Sequence, residues 1–99
     1  MAQVVYSKRA LQDLERLAGF LGGEESVAGV AALAIILDAI DILGAHPLVG
    51  RSVEQGLREL VISRGRSGYL ALYSFERRED VTLILAVRHQ REAGFLDLG

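Results

Sequence analysis

The sequence predicts an α+β domain: two helices on one face of an antiparallel meander, in a single unit spanning residues 1–99. Three observations carry that expectation. Residues 81–87 are apolar on both alternating sets, as in a strand lying in mid-sheet and covered on both faces. Residues 57–63 and 69–75 also read as strands, and short loops join all three in succession. Ahead of them lie two apolar patterns with helical spacing, so the helices precede the meander and cover one side of it.

In chain order, Val4, Val5 and Tyr6 form a short β-type run, and Ser7 is placed to cap a helix. Ala10, Leu11, Leu14, Leu17, Ala18 and Leu21 then recur at three- and four-residue steps, with Gln12, Asp13, Glu15 and Arg16 assigned to the solvent side. Gly22-Gly23 ends this helix, and Glu24, Glu25 and Ser26 suit the start of a second over residues 26–45. From Val27 to Leu37 every residue is apolar or glycine, with Asp38 and Asp41 following. A membrane span needs about twenty apolar residues without charges, so this helix is expected to be covered by protein instead. Leu33, Ile36, Leu37 and Ile40 are the expected core members, and Ala28, Gly29, Ala31, Ala32 and Ala34 would let another backbone approach. In a domain this small, one helix apolar on nearly every side points to a partner surface. His46-Pro47 closes the helix, because a residue before proline is pushed out of the helical region. A turn and a polar loop lead to the second strand. Arg58, Leu60 and Ile62 share one of its faces, and the strand over 69–75 puts Tyr69, Tyr73 and Phe75 together.

The chain has no cysteine, which excludes thiolate metal sites, redox pairs and cysteine nucleophiles. With no basic, apolar leader at its start, it is expected in the cytoplasm. The formal net charge is −2, unlike that of a general nucleic-acid binder. The distribution is uneven, however: eight arginines and five acids fall in residues 51–91, against three cations and six acids in residues 1–50. Arginine favours planar contacts to carboxylate or phosphate. Two histidines far apart give no metal site, nothing resembles a phosphate-cradling loop, and no cofactor is expected.

Val5-Tyr6-Ser7 with Ala10 and Asp13-Leu14, Ile40 and Leu43 ahead of His46-Pro47, Gly50-Arg51, Leu57-Arg58-Glu59-Leu60, Gly68-Tyr69 with Leu72-Tyr73, and the run from Val87 to Phe95 occur in an order that resembles the RelE/ParE superfamily of bacterial toxins. The resemblance covers nearly the whole chain. It implies an N-terminal strand and a helical hairpin packed on a twisted antiparallel sheet. It also implies a growth inhibitor of a toxin-antitoxin (plasmid stabilisation) module, neutralised by a cognate antitoxin that wraps it as a helix plus an extended segment. Ala32, Leu33, Ile36 and Ile40 on the second helix are the expected antitoxin contacts.

Two activities occur in the superfamily: ribosome-dependent cleavage of mRNA, and poisoning of DNA gyrase without hydrolysis. RNA cleavage needs a base, an acid and cations for the phosphorane charge. Here Leu70 follows Tyr69 where many such nucleases have arginine, and Phe95 stands where a tail tyrosine would be. The expectation is therefore the ParE branch, with gyrase as target. Arg64, Arg66, Arg88 and Phe95 are the expected target contacts, and Arg58, His89 and Arg91 the residues that would carry any catalysis. The alternatives are an mRNA endoribonuclease acting on the ribosome, and a non-toxic member that only binds its partner; the apolar helix could also serve a homodimer. Apart from function, His89 would cap the strand end on backbone, Arg58 would pair with a carboxylate such as Glu92, and His46 would end its helix.

Overall fold

The computed structural model describes residues 1–23, 25–64 and 67–92, without the side chains of Ser63, Arg64 and Ser67. Strand β1 is Gln3–Tyr6, and Ser7 then caps helix α1, Lys8–Gly19, its Oγ accepting from the Ala10 N–H at 3.0 Å. Gly22 and Gly23 adopt φ of 103° and 97°, the left-handed region that glycine enters without a Cβ clash, and they turn the chain. Ser26 caps helix α2, Val27–Ala45, by accepting from the Gly29 N–H at 2.9 Å. A Cβ on Gly29 would lie 2.0 Å from the Gly23 carbonyl oxygen, so the approach its small side chain permits is made by the chain's own turn. His46 follows as the C-cap of α2, as expected from His46-Pro47.

The remaining strands are β2, Arg51–Ser52, then β3, Arg58–Arg64, β4, Ser67–Glu76, and β5, Val81–His89, with a 3₁₀ turn at Glu54–Gly56. They form one sheet in the order β1-β5-β4-β3-β2. The meander β3-β4-β5 is antiparallel and the helical hairpin packs on one face, as the sequence predicts. Two strands extend the expected three-strand ladder. β1 pairs parallel with β5, making the sheet mixed, and Arg51–Ser52, expected at the end of a turn and the start of a polar loop, pairs with Arg58 and Glu59. β5 therefore has a strand on either side, as expected of a mid-sheet strand, but the expected cover on both faces is met only on the helix side. Its alternate residues are only partly covered on the face away from the helices.

Ile36, Ile40 and Leu43 of α2 meet Ala10, Leu14 and Leu17 of α1 and Ile62, Tyr69, Ala71, Tyr73, Ile84 and Val87 of the sheet. Each fully buried large apolar side chain stabilises the fold by roughly 1.5–3 kcal/mol. Leu33 is half-buried, and Leu37, expected in the core, is more than a third exposed. By length and composition α2 would also suit a membrane span, but its buried face is the centre of this core.

A β-bulge sets the geometry of the functional end. Leu72 pairs with Ala86 and Tyr73 with Ile84, so Leu85 is an extra residue on β5. β1 stops pairing at Ile84, and side chains of α1 and of its cap Ser7 take over the edge of β5 beyond it. Ser7 Oγ donates to the Leu85 carbonyl at 3.0 Å, Asp13 Oδ2 accepts from the Val87 N–H at 2.9 Å, and Arg16 donates to the Val87 carbonyl at 3.3 Å. These bonds meet the requirement that buried backbone groups be paired. Asp13, expected on the solvent side, is consequently 2 % exposed.

Candidate functional site

At the end of β5, a notch of about 340 Å³ opens between the C-terminal end of α1 and the strand terminus. Leu17, Phe20, Leu21 and Tyr69 give it apolar walls, and His89, Arg91 and Glu92 line its polar side. Leu17 and Tyr69 are buried, whereas Phe20 is 66 % and Leu21 42 % exposed. Tyr69 and His89 lie opposite each other on β4 and β5 and meet edge to face, ring centres 5.3 Å apart.

The turn after β5 is held from several sides. Glu92 Oε1 accepts from the His89 N–H at 2.9 Å and from Arg16 at 3.0 Å, while Arg16 also donates to Asp13 Oδ1 at 2.5 Å. Burial alone would raise the Glu92 carboxyl, but the His89 N–H and the Arg16 guanidinium outweigh it and hold the group below its ordinary range. Burial opposes the charge on Arg16 as well; its bonds to Glu92 and Asp13 outweigh that and raise it. Arg88 folds onto the carbonyls of His89, Gln90 and Glu92. His89 Nδ1 accepts from the Arg91 N–H at 3.1 Å, as expected of a strand-end histidine bonded to backbone. That bond leaves the proton of the neutral imidazole on Nε2. The Arg91 guanidinium is exposed and makes no ion pair among the described residues.

Arg58 is elsewhere. In register it sits opposite Tyr73, whereas His89 sits opposite Tyr69, four residues away along β4. That offset is about 13 Å along the strands and two strand spacings, about 10 Å, across them. Nor does Arg58 pair with Glu92: its guanidinium donates to the Leu48 carbonyl at 3.2 Å and the Gly50 carbonyl at 2.8 Å, bracketing the loop after α2. Tyr73 completes this corner, its hydroxyl accepting from the Gly50 N–H and donating to the Pro47 carbonyl, both at 2.9 Å. Burial pushes the Tyr73 phenol up, only partly offset by the Gly50 bond and the Arg58 charge, so it keeps the proton it donates. A Cβ on Gly50 would lie 2.5 Å from that hydroxyl, which accounts for the glycine in Gly50-Arg51.

The proposed catalytic trio is thus divided, with His89 and Arg91 in the notch and Arg58 in a structural bracket. Of the expected target contacts, Arg88 lies beside the notch, and the backbone of Arg64 ends β3 on the same side. Arg66 and Phe95 lie outside the described residues. On α2, the expected contacts Ile36 and Ile40 are fully buried and Ala32 nearly so; they share the helix face, with Leu43, that turns to the core. The outward residues are Val27, Val30, Leu37 and Ile42, and a cleft lined by Ala31, Ala34, Asp38 and Val61 separates α2 from β3. From sequence, Leu17 and Leu21 stand only as parts of a helix pattern, and Phe20 is not among its positions. Asp13 carried a usable signal: a carboxylate three residues after Ala10 and four before Leu17 is in phase with the apolar stripe. Among the described residues, no group of three His, Cys, Asp or Glu is arranged to hold a metal ion.

Comparisons with known proteins agree with this architecture. A family model described as the ParE toxin of the type II toxin-antitoxin system parDE matches residues 4–94. Toxin RelE3 of Caulobacter vibrioides is 33% identical over 92 residues, covering 93% of this chain and 98% of that protein. The toxin-antitoxin complex RelBE2 of Mycobacterium tuberculosis contains a chain similar in fold at TM-score 0.64 and 23% identity, with 90% of this chain and 98% of that one covered. A chromosomal ParDE system from P. aeruginosa gives TM-score 0.70 at 22% identity, over 90% and 96%.

Proposed function

The chain belongs to the ParE toxin family of type II toxin-antitoxin systems, and from that premise we propose that it arrests growth by holding DNA gyrase, without cutting RNA. Its resemblance to the ParE branch supplies the target. The observation that carries the non-hydrolytic reading is the separation of Arg58 from His89 and Arg91. An RNA-cleaving site needs base, acid and cations converging on one phosphate. Among the described residues the notch offers one imidazole and one uncommitted guanidinium, its carboxylate being bound to Arg16 and the His89 N–H. Tyr69 is packed in the core.

The relatives in toxin-antitoxin complexes support a cognate antitoxin as second partner. The outward face of α2 and its cleft against β3 suit an amphipathic segment of that antitoxin, since Val27 and Val30 are 88 % and 52 % exposed beside it. This face replaces Ile36 and Ile40 as the expected contact.

The reading is tested by titrating purified toxin into a gyrase supercoiling assay, beside a translation reaction in which mRNA cuts are mapped. Inhibited supercoiling with intact mRNA supports it. Unaffected gyrase, with ribosome-dependent cuts lost in His89→Ala, establishes the nuclease instead. If induction without antitoxin leaves growth unchanged, the chain only binds its partner.

A further inference from the structure

We propose that the notch between the end of α1 and the end of β5 docks a bulky apolar side chain that a partner protein carries next to a carboxylate. The inference rests on the reading of this chain as a toxin that holds a protein, and it names the chemistry of the grip.

Size comes first. About 340 Å³ is near the lower end of the roughly 300–1,000 Å³ typical of small-molecule sites, and an open notch of that volume takes one or two side chains. Its walls are apolar, and Phe20 and Leu21 stand exposed beside buried Leu17 and Tyr69. An apolar anchor seated there would cover surface that the lone chain leaves in water, and such anchors carry much of the energy of protein interfaces.

Charge selects the neighbour of that anchor. The whole chain has formal net charge −2, yet the open side of the notch presents Arg91, which makes no ion pair among the described residues. The notch's own carboxylate, Glu92, is neutralised by Arg16 and bonded to the His89 N–H, so it leaves Arg91 to an incoming acid. Arg16 is committed to Asp13 and Glu92, and Arg88 bonds the carbonyls of the turn. Among the described residues, this one exposed guanidinium matches one carboxylate through a charge-assisted bond. An RNA strand would instead need several cations for successive phosphates.

The experiment is an amide NMR titration of the full chain with acetyl-Leu-Phe-Asp-Glu-amide, with the same peptide carrying lysines for its acids, and with oligouridylate of equal length. The account expects saturable shifts at residues 17–21 and 89–92 with the acidic peptide. Binding should weaken about tenfold, roughly the 1.4 kcal/mol of one charge-assisted bond, for the lysine peptide and for Arg91→Glu. Phe20→Asp should abolish it; Phe20 and Arg91 are both exposed, so either variant should fold. Absent shifts, equal binding of the lysine peptide, or tighter binding of oligouridylate would overturn the inference. So would peptide binding only after removal of residues 93–99, which would make the chain's own tail the occupant. Gyrase inhibition without peptide shifts removes the docking chemistry and leaves the target reading standing; peptide shifts with unaffected gyrase support the notch and remove gyrase.

Discussion

Arg58 and Arg91 look alike in the sequence and end in opposite situations. At the α2 end, the Arg58 guanidinium and the Tyr73 hydroxyl are consumed by the carbonyls and N–H of the loop at 47–50. At the β5 end, the acids and bases that build the floor pair with each other, and among the described residues the Arg91 guanidinium makes no ion pair, only the backbone N–H of Arg91 bonding His89. The lesson is that a cation's role follows from what the neighbouring backbone lacks. A loop leaving a helix has carbonyls to satisfy, and an arginine within reach becomes structural. At the strand end satisfied by Asp13, Arg16 and Glu92, the Arg91 guanidinium makes no ion pair among the described residues.

The comparison is most strongly tested by Tyr73→Phe, which leaves the Gly50 N–H and Pro47 carbonyl without a partner. At about 1–3 kcal/mol for a buried group left unpaired, urea unfolding should show a loss of about 2–3 kcal/mol. Toxicity per folded molecule should persist. Arg58→Ala should cost about 1.5–3 kcal/mol, the range for hydrogen bonds to a charged group, again with activity retained in the folded fraction. Unchanged stability with lost activity would return Arg58 to a catalytic role and break the comparison.

Glu92 supplies a pH test. Its folded pKa is depressed, so its contribution to stability is present above the unfolded value and is lost as pH falls through the folded one. Thermal melts taken downward from the ordinary glutamate range, near 4.3, should show a decline for the wild type that is smaller in Glu92→Gln. Identical slopes would mean that the Arg16 contact contributes nothing to the folded state. The smallest effect on stability is expected from Arg91→Ala, within about 0.5 kcal/mol as for other surface substitutions, while growth inhibition falls. A large destabilisation there would show that the two ends are built alike.

Much of this fold was legible because local signals agreed with the tertiary outcome. Ser7 and Ser26 cap the helices, Gly22-Gly23 turns the chain, and the apolar run of β5 marks a strand paired on both sides. What sequence could not give was closure over distance. Parallel pairing of β1 with β5 joins residues nearly eighty apart, and neither strand encodes the other. The same holds for Arg51–Ser52, whose two residues have no alternation to read. At the candidate site, an apolar strand ending in polar residues points to His89 and Arg91, and the structure places both at the notch. Arg58 lies apart from them because register decides which end of a strand faces which neighbour. The faces of α2 were blurred for a related reason: a helix apolar all round carries no mark of which side the sheet will take.

If this toxin acts by gripping a protein at the end of β5, relaxed-plasmid supercoiling by gyrase, measured against increasing wild-type and Arg91→Glu toxin, should tell the two proteins apart. The account predicts dose-dependent inhibition by the wild type and much weaker inhibition by the folded variant. Undiminished supercoiling at every wild-type dose, or equal inhibition by both proteins, would contradict it.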